Sequence, residues 1–215
     1  VTIVWIFLNL INMPEIKTII FDLGGVLVDW NPDYVYKTIF DNEEDMKWFY
    51  DNICTPQWNE EQDAGRTLAE ATELLVKEFP DHEDNIRAYY GRWEEMLHGP
   101  IHDTVDIFRE LKEMNKYKLL ALTNWSAETF PIALKRFDFL HWFDGKVVSG
   151  EEMTRKPFPD IYHTIIERFN VDPHTAVYTD DNVRNLHPAG ALGMHTIHFQ
   201  NPDQFRKELA RLGVL

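Results

Sequence analysis

A doubly wound α/β sheet, with parallel strands joined by helices and one helical insertion, is the fold class this sequence predicts. Three observations predict it. Five short runs of β-forming residues are bounded by turn residues, amphipathic helical patterns separate them, and residues 31–99 carry helical patterns without a convincing strand. Strands buried on both faces of a parallel sheet read as short apolar runs, and the helices alternating with them act as right-handed crossovers.

The first strand is expected at Lys17–Asp22 (KTIIFD), ahead of Leu-Gly-Gly. In the insertion, Asn31-Pro32 reads as a cap followed by a first-turn proline, and Asn42 opens an acidic helix. Thr67-Leu-Ala-Glu70 is a capping box, with Leu68, Ala71, Leu74, Leu75 and Phe79 on the apolar side. A further helix is expected over Asp81–Leu97. After the insertion, helix Asp103–Asn115 carries Val105, Ile107, Phe108, Leu111 and Met114 on one side. Strands are then expected at Lys118–Thr123, Lys146–Ser149, Thr175–Asp180 and Met194–Phe199. Helices are expected at Ser126–Phe137, Pro159–Phe169, Asn182–Leu192 and Pro202–Leu212. The insertion follows the first strand, so it is expected to sit as a lid over that strand's C-terminal end. The division is therefore a core of residues 13–30 and 100–215 and a helical unit of residues 31–99.

Val1–Asn12 (VTIVWIFLNLIN) is uncharged and largely apolar. It is too short for a bilayer span of about 20 residues and lacks the basic region and cleavage site of a secretory signal. It is read as an extension, with the functional chain beginning at or near Met13.

A chain of 215 residues can bury about 70% of its extended surface, enough for one large core or a core with a smaller insertion. The charge of −15, from 21 basic and 36 acidic residues, argues against general nucleic-acid binding, which leans on clustered Lys and Arg. It leaves room for a small anionic substrate, because a metal ion or one lysine reverses the local sign. Cys54 is the single cysteine, which excludes an internal disulfide and a cysteine zinc cage and favours a cytoplasmic setting. No membrane association is expected, and the assembly is expected to be a monomer or homodimer.

Ligands of open α/β sheets bind beyond the carboxyl ends of the strands. Polar residues at those ends therefore form a set: Asp22, Thr123-Asn124, Lys156 on a loop, and Asp180-Asp181. Each has an ordinary explanation alone, as a turn cap, a helix start or a solvated loop residue. Together they offer an anionic nucleophile, a hydroxyl and an amide, a fixed cation and a carboxylate pair.

The segments FDLGGVLVDW (21–30), LTNWS (122–126), RKPFPDIY (155–162) and YTDDNVRN (178–185) resemble, in order and spacing, the four motifs of the haloacid dehalogenase-like hydrolases. The resemblance runs from Ile16 to about Phe199. It implies a Rossmann-like core with a helical cap and a phosphatase acting on a small phosphorylated metabolite. Asp22 would attack phosphorus and form an aspartyl-phosphate. Mg²⁺ would be held by the carboxylates of Asp22 and Asp181 and the backbone carbonyl of Gly24. Asp180 would act from behind the metal site, and Asn185 would hold that motif in place. Thr123 and the Asn124 backbone would bind phosphoryl oxygens, and Lys156 would balance charge.

One position departs from the pattern. Most phosphatases of the superfamily carry a second Asp two residues after the nucleophile as general acid and base; here that residue is Gly24. Such a donor is worth about 10²–10⁴-fold in rate. The expectation is a preference for esters with good leaving groups. Anomeric sugar phosphates fit, and a branch of bacterial sugar-1-phosphate phosphatases is similar in its glycine after an Asp-Leu pair. Asp29, seven residues after Asp22, is expected to cap the loop exit. Trp30, Trp58, Asn59, Arg66 and Trp125 are candidate pocket residues, whereas Trp48, Trp93 and Trp142 are expected in the core. Cys54 is expected to be an ordinary buried thiol.

Two other readings use the same residues. A 2-haloacid dehalogenase would direct Asp22 at carbon without metal, but the Asp180-Asp181 pair would repel a substrate carboxylate. A binding or regulatory protein with a decayed site has Gly24 as its only support.

Overall fold

The computed structural model describes residues 15–215, so the expectation for the first twelve residues lies outside the described residues. The strands are β1 (Thr18–Phe21), β2 (Val28–Trp30), β3 (Leu97–Pro100), β4 (Lys118–Thr123), β5 (Gly145–Val148), β6 (Ala176–Asp180) and β7 (His195–His198). Five form one parallel sheet in the order β5-β4-β1-β6-β7. Central β1 pairs with β4 on one side and β6 on the other, so the winding changes direction there. The crevice at such a switch point is where α/β sheets bind ligands.

Side-chain alternation builds a core on each face of the sheet. Ile19, Phe21, Leu119, Ala121 and Val177 join one buried cluster; Ile20, Leu120, Leu122 and Tyr178 join the other. The first cluster runs on without a break into Val35, Tyr36, Phe49, Tyr89 and Trp93 of the helical insertion. That shared apolar body anchors the insertion to the sheet.

The insertion contains helices Asp33–Tyr36, Glu43–Asn52, Pro56–Asp63, Leu68–Glu78 and Glu83–Gly91. The Asn42, Thr55 and Thr67 side chains accept from the amides of Asp45, Trp58 and Glu70, satisfying donors that the first turns leave open. Beyond the insertion, helices His102–Met114, Phe130–Arg136, Ser149–Glu152, Pro159–Phe169, Val183–Ala191 and Pro202–Arg211 follow the expected alternation. No helix among the described residues is long and apolar enough to cross a membrane.

Several local expectations are corrected. β2 and β3 form an antiparallel pair that closes the neck of the insertion, where a strandless segment was expected to run to Gly99. The helix expected over Asp81–Leu97 is broken: helix Glu83–Gly91 lies between 3₁₀ turns at Pro80–His82 and Trp93–Met96, and β3 begins at Leu97. Helix Phe130–Arg136 starts late because Ser126 turns the chain first, its hydroxyl accepting from the Glu128 amide and its carbonyl from the Phe130 amide. Leu74, Met114 and Trp48 are exposed, since the stripes to which they belong are wider than the surfaces that cover them.

Candidate active site

Asp22 follows β1, Thr123 ends β4, and Asp180 ends β6, so three adjacent strands deliver these side chains to one edge. Lys156 arrives from the loop after helix Ser149–Glu152 and is fully buried. Its Nζ lies 2.9 Å from Asp22 Oδ1 and 2.7 Å from Asp180 Oδ2. The Asn124 side chain fixes that loop by accepting from the Lys156 amide at 2.8 Å and donating to the Lys156 carbonyl at 3.0 Å.

Asp22 Oδ1 also accepts from the Leu23 amide at 2.7 Å, while among the described residues no donor reaches Oδ2. Asp180 is saturated instead. It accepts from Lys156, the Tyr178 hydroxyl, the Asn182 amide and both contacts of Asn185 Nδ2. Asp181 is exposed, and carboxylate oxygens of Asp22, Asp180 and Asp181 lie within 4.8 Å of one another. Gly25 permits this approach: its φ is +71°, and a Cβ there would stand 2.3 Å from Asp181 Oδ2.

The electrostatics follow from three carboxylates facing one ammonium. Burial pushes the Asp22 carboxyl well above its usual range; Lys156 opposes the rise, and Asp180 and Asp181 add to it. Burial would raise Asp180 too, but the Lys156 charge and the hydrogen bonds to Asp180 hold it below the ordinary value. Asp181 is exposed as a residue, but its neighbours partly desolvate its carboxyl; that desolvation, followed by repulsion from Asp180, raises its pKa. Burial opposes charge on Lys156, yet Asp180 and Asp22 raise its pKa. The donor set is hard oxygen, and the excess negative charge is what a divalent cation relieves, so these residues fit a Mg²⁺ ion.

A model of one protein family, the haloacid dehalogenase-like hydrolases, matches residues 16–193. The chain is a haloacid dehalogenase-like hydrolase. This hydrolase is 25% identical to a sesquiterpene phosphatase of Aspergillus oryzae, over 91% of this chain and 96% of that protein. It is also 25% identical to a phosphorylated carbohydrates phosphatase of Thermotoga maritima, over 85% of this chain and 84% of the relative. The match to a drimenol cyclase of Aspergillus calidoustus, 22% identical, spans 92% of this chain but 36% of that longer protein. Among solved structures, a HAD-like family hydrolase of Porphyromonas gingivalis superposes with a TM-score of 0.72 at 20% identity, covering 93% of this chain and 98% of the other.

Beside the carboxylates, the hydrolase has a cavity with about 430 Å³ of empty space, mouth included, lined in part by Gly24, Trp30, Asn59, Asn124 and Trp125. Among the described residues, the indole nitrogens of Trp30 and Trp125, both in the cavity lining, and the Thr123 hydroxyl at the end of β4 are buried without a hydrogen-bond partner. Trp58 and Arg66 do not line this cavity. Trp58 packs on Tyr89 and Tyr90, and Arg66 is spent on Gln62 and the Trp58 carbonyl. Asp29 accepts from the Tyr34 hydroxyl at 2.8 Å, outside the cavity lining. Cys54 is buried, which pushes its thiol pKa up.

Trp93, expected only as core, and Asp63, not singled out from the sequence, also line the cavity. Asp63 carries no motif, and only the packing of helix Pro56–Asp63 over the sheet edge brings it there.

Proposed function

We propose that this hydrolase is a Mg²⁺-dependent phosphatase of a small phosphorylated metabolite, working through an aspartyl-phosphate on Asp22. One observation carries the reading: Asp22 stands between a fully buried lysine at 2.9 Å and two further carboxylates that it meets within 4.8 Å. Residues 31–99 would act as the cap that selects the substrate, and residues 13–30 with 100–215 as the catalytic core.

Asp22 Oδ2, which no donor among the described residues reaches, would attack phosphorus while the ester oxygen leaves with its electron pair. Water would then attack the same phosphorus, releasing phosphate and restoring the carboxylate. The buried Thr123 hydroxyl, without a partner among the described residues, and the Asn124 backbone amide would donate to the phosphoryl oxygens. Lys156 would neutralise charge on Asp22 and on the incoming phosphate, and Asp180 would hold Lys156 in place. Asp22, Asp181 and the Gly24 carbonyl would hold Mg²⁺, which when bound supplies a positive field for the transferring phosphoryl group. The indole nitrogens of Trp30 and Trp125, cavity-lining residues without a partner among the described residues, would suit a substrate bearing acceptor oxygens, as a phosphorylated carbohydrate does.

The test is turnover of 4-nitrophenyl phosphate with and without Mg²⁺, by the wild type and Asp22→Asn. Expected is activity lost both in EDTA and in the variant. Chloride release from 2-chloropropionate in EDTA would instead favour the dehalogenase, and the absence of both activities would favour a binding protein.

A further inference from the structure

Gly24 leaves the phosphatase reading without the side chain that protonates the leaving group. The space is there, since a Cβ on Gly24 would meet nothing within 4 Å. Gly24 lines the cavity that is also lined by Asp63, the last residue of helix Pro56–Asp63. Among the described residues, Asp63 is the only carboxyl in that lining; Tyr90, the other titratable group there, is bound to Asn59 and Gln62.

The helix that bears Asp63 is fixed over the site. Asn59, one turn earlier, donates to Asp63 Oδ2 at 3.4 Å. Glu60 pairs with Arg155 at 2.9 Å and with Arg184, tying the helix to the loop that carries Lys156 and to the first turn of helix Val183–Ala191, which follows Asp181. Asp29, the next acid after Asp22, is held by Tyr34.

We propose that Asp63 is the general acid and base of this phosphatase, supplied by the helical insertion in place of the side chain missing at Gly24. The proposal rests on the phosphatase reading above. In the first half-reaction the Asp63 carboxyl gives its proton to the departing ester oxygen as the P–O bond breaks and the bond to Asp22 forms. In the second, the Asp63 carboxylate takes a proton from the water that attacks phosphorus, and Asp22 leaves as a carboxylate. Protons balance over the cycle.

The surroundings suit this work. Burial is the main influence and lifts the Asp63 pKa to about 7; Glu60 adds to the rise, while Arg155, Lys156 and the Ser126 backbone pull it down. Tyr89 and Tyr90 face it from helix Glu83–Gly91. A group titrating near neutrality can both give and take the proton.

The consequence reverses the expectation drawn from Gly24 alone: poor leaving groups are handled well. The experiment measures kcat/KM in Mg²⁺ for a series from 4-nitrophenyl to phenyl to alkyl phosphates. For the wild type, log kcat/KM is expected to change little with leaving-group pKa, and for alkyl phosphate to fall as pH rises above about 7. In Asp63→Asn, alkyl phosphate loses about 10²–10⁴-fold while 4-nitrophenyl phosphate loses far less, which also shows that the variant is folded. The alkaline fall disappears with the carboxyl.

A steep leaving-group dependence in the wild type overturns the proposal, as does an equal loss, or none, on all esters in Asp63→Asn. Failure of the underlying reading looks different: no Mg²⁺-dependent turnover of any ester, or full activity in Asp22→Asn.

Discussion

Lys156 holds a full positive charge with no exposed surface, and it can do so because Asp22 and Asp180 both contact its Nζ. Breaking a buried ion pair by removing one partner costs about 3–5 kcal/mol. Lys156→Met, similar in volume but uncharged, is therefore expected to lower stability by about that amount in urea unfolding. It should also lower kcat by at least about 100-fold, measured under conditions where the protein stays folded. The two glycines of the first motif offer a sharper contrast. A methyl group on Gly25 would collide with Asp181 at 2.3 Å in a backbone conformation that L residues seldom adopt, whereas one on Gly24 would meet open space. Gly25→Ala is expected to weaken Mg²⁺ binding by about 10- to 100-fold, and Gly24→Ala to leave it nearly unchanged. Metal-dependent shifts in melting temperature measure both without reference to turnover.

At the level of elements, helix Ser149–Glu152 works as the backing of the loop between Thr123 and Ala127. Ser149 Oγ accepts from the Trp125 amide at 2.8 Å, and the Gly150 amide donates to the Trp125 carbonyl at 3.1 Å. A Cβ at Gly150 would lie 2.4 Å from the Ala127 nitrogen. Gly150→Ala is thus expected to push this loop outward and lower kcat/KM by up to about 100-fold, with far-UV circular dichroism preserved. The five strands of the sheet were legible as short runs of β-forming residues bounded by turns; four of the five runs end in a polar residue, and those endings led to Asp22, Thr123 and Asp180. β2 and β3 were not legible: β2 (VDW) and β3 (LHGP) hold no run of β-formers, and Gly99-Pro100 reads as a turn. Asp63 was invisible for another reason. It lies 41 positions from Asp22, has no spacing relation to any motif, and acquires its place only through the docking of one helix on another unit.

The molecule as a whole carries −15, yet its stability near neutral pH turns on a few enclosed carboxyls. Asp63 in the native protein keeps its proton up to about 7, against 3.8 as the ordinary value. A pKa raised by folding contributes stability that is complete below the unfolded value and is lost as pH rises through the folded one. Metal-free wild type is therefore expected to lose stability between about pH 4 and pH 7 relative to Asp63→Asn, which has no such proton to surrender. Urea midpoints of both proteins across that range give the comparison; parallel curves would count against it.

Glu60 grips Arg155 and Arg184 together, and those arginines flank Lys156 on one side and follow Asp181 on the other. Lifting the helices to admit a bulky ester would strain both anchor points in a single movement. Both anchor points would have to give way together, because one glutamate is the hasp they share.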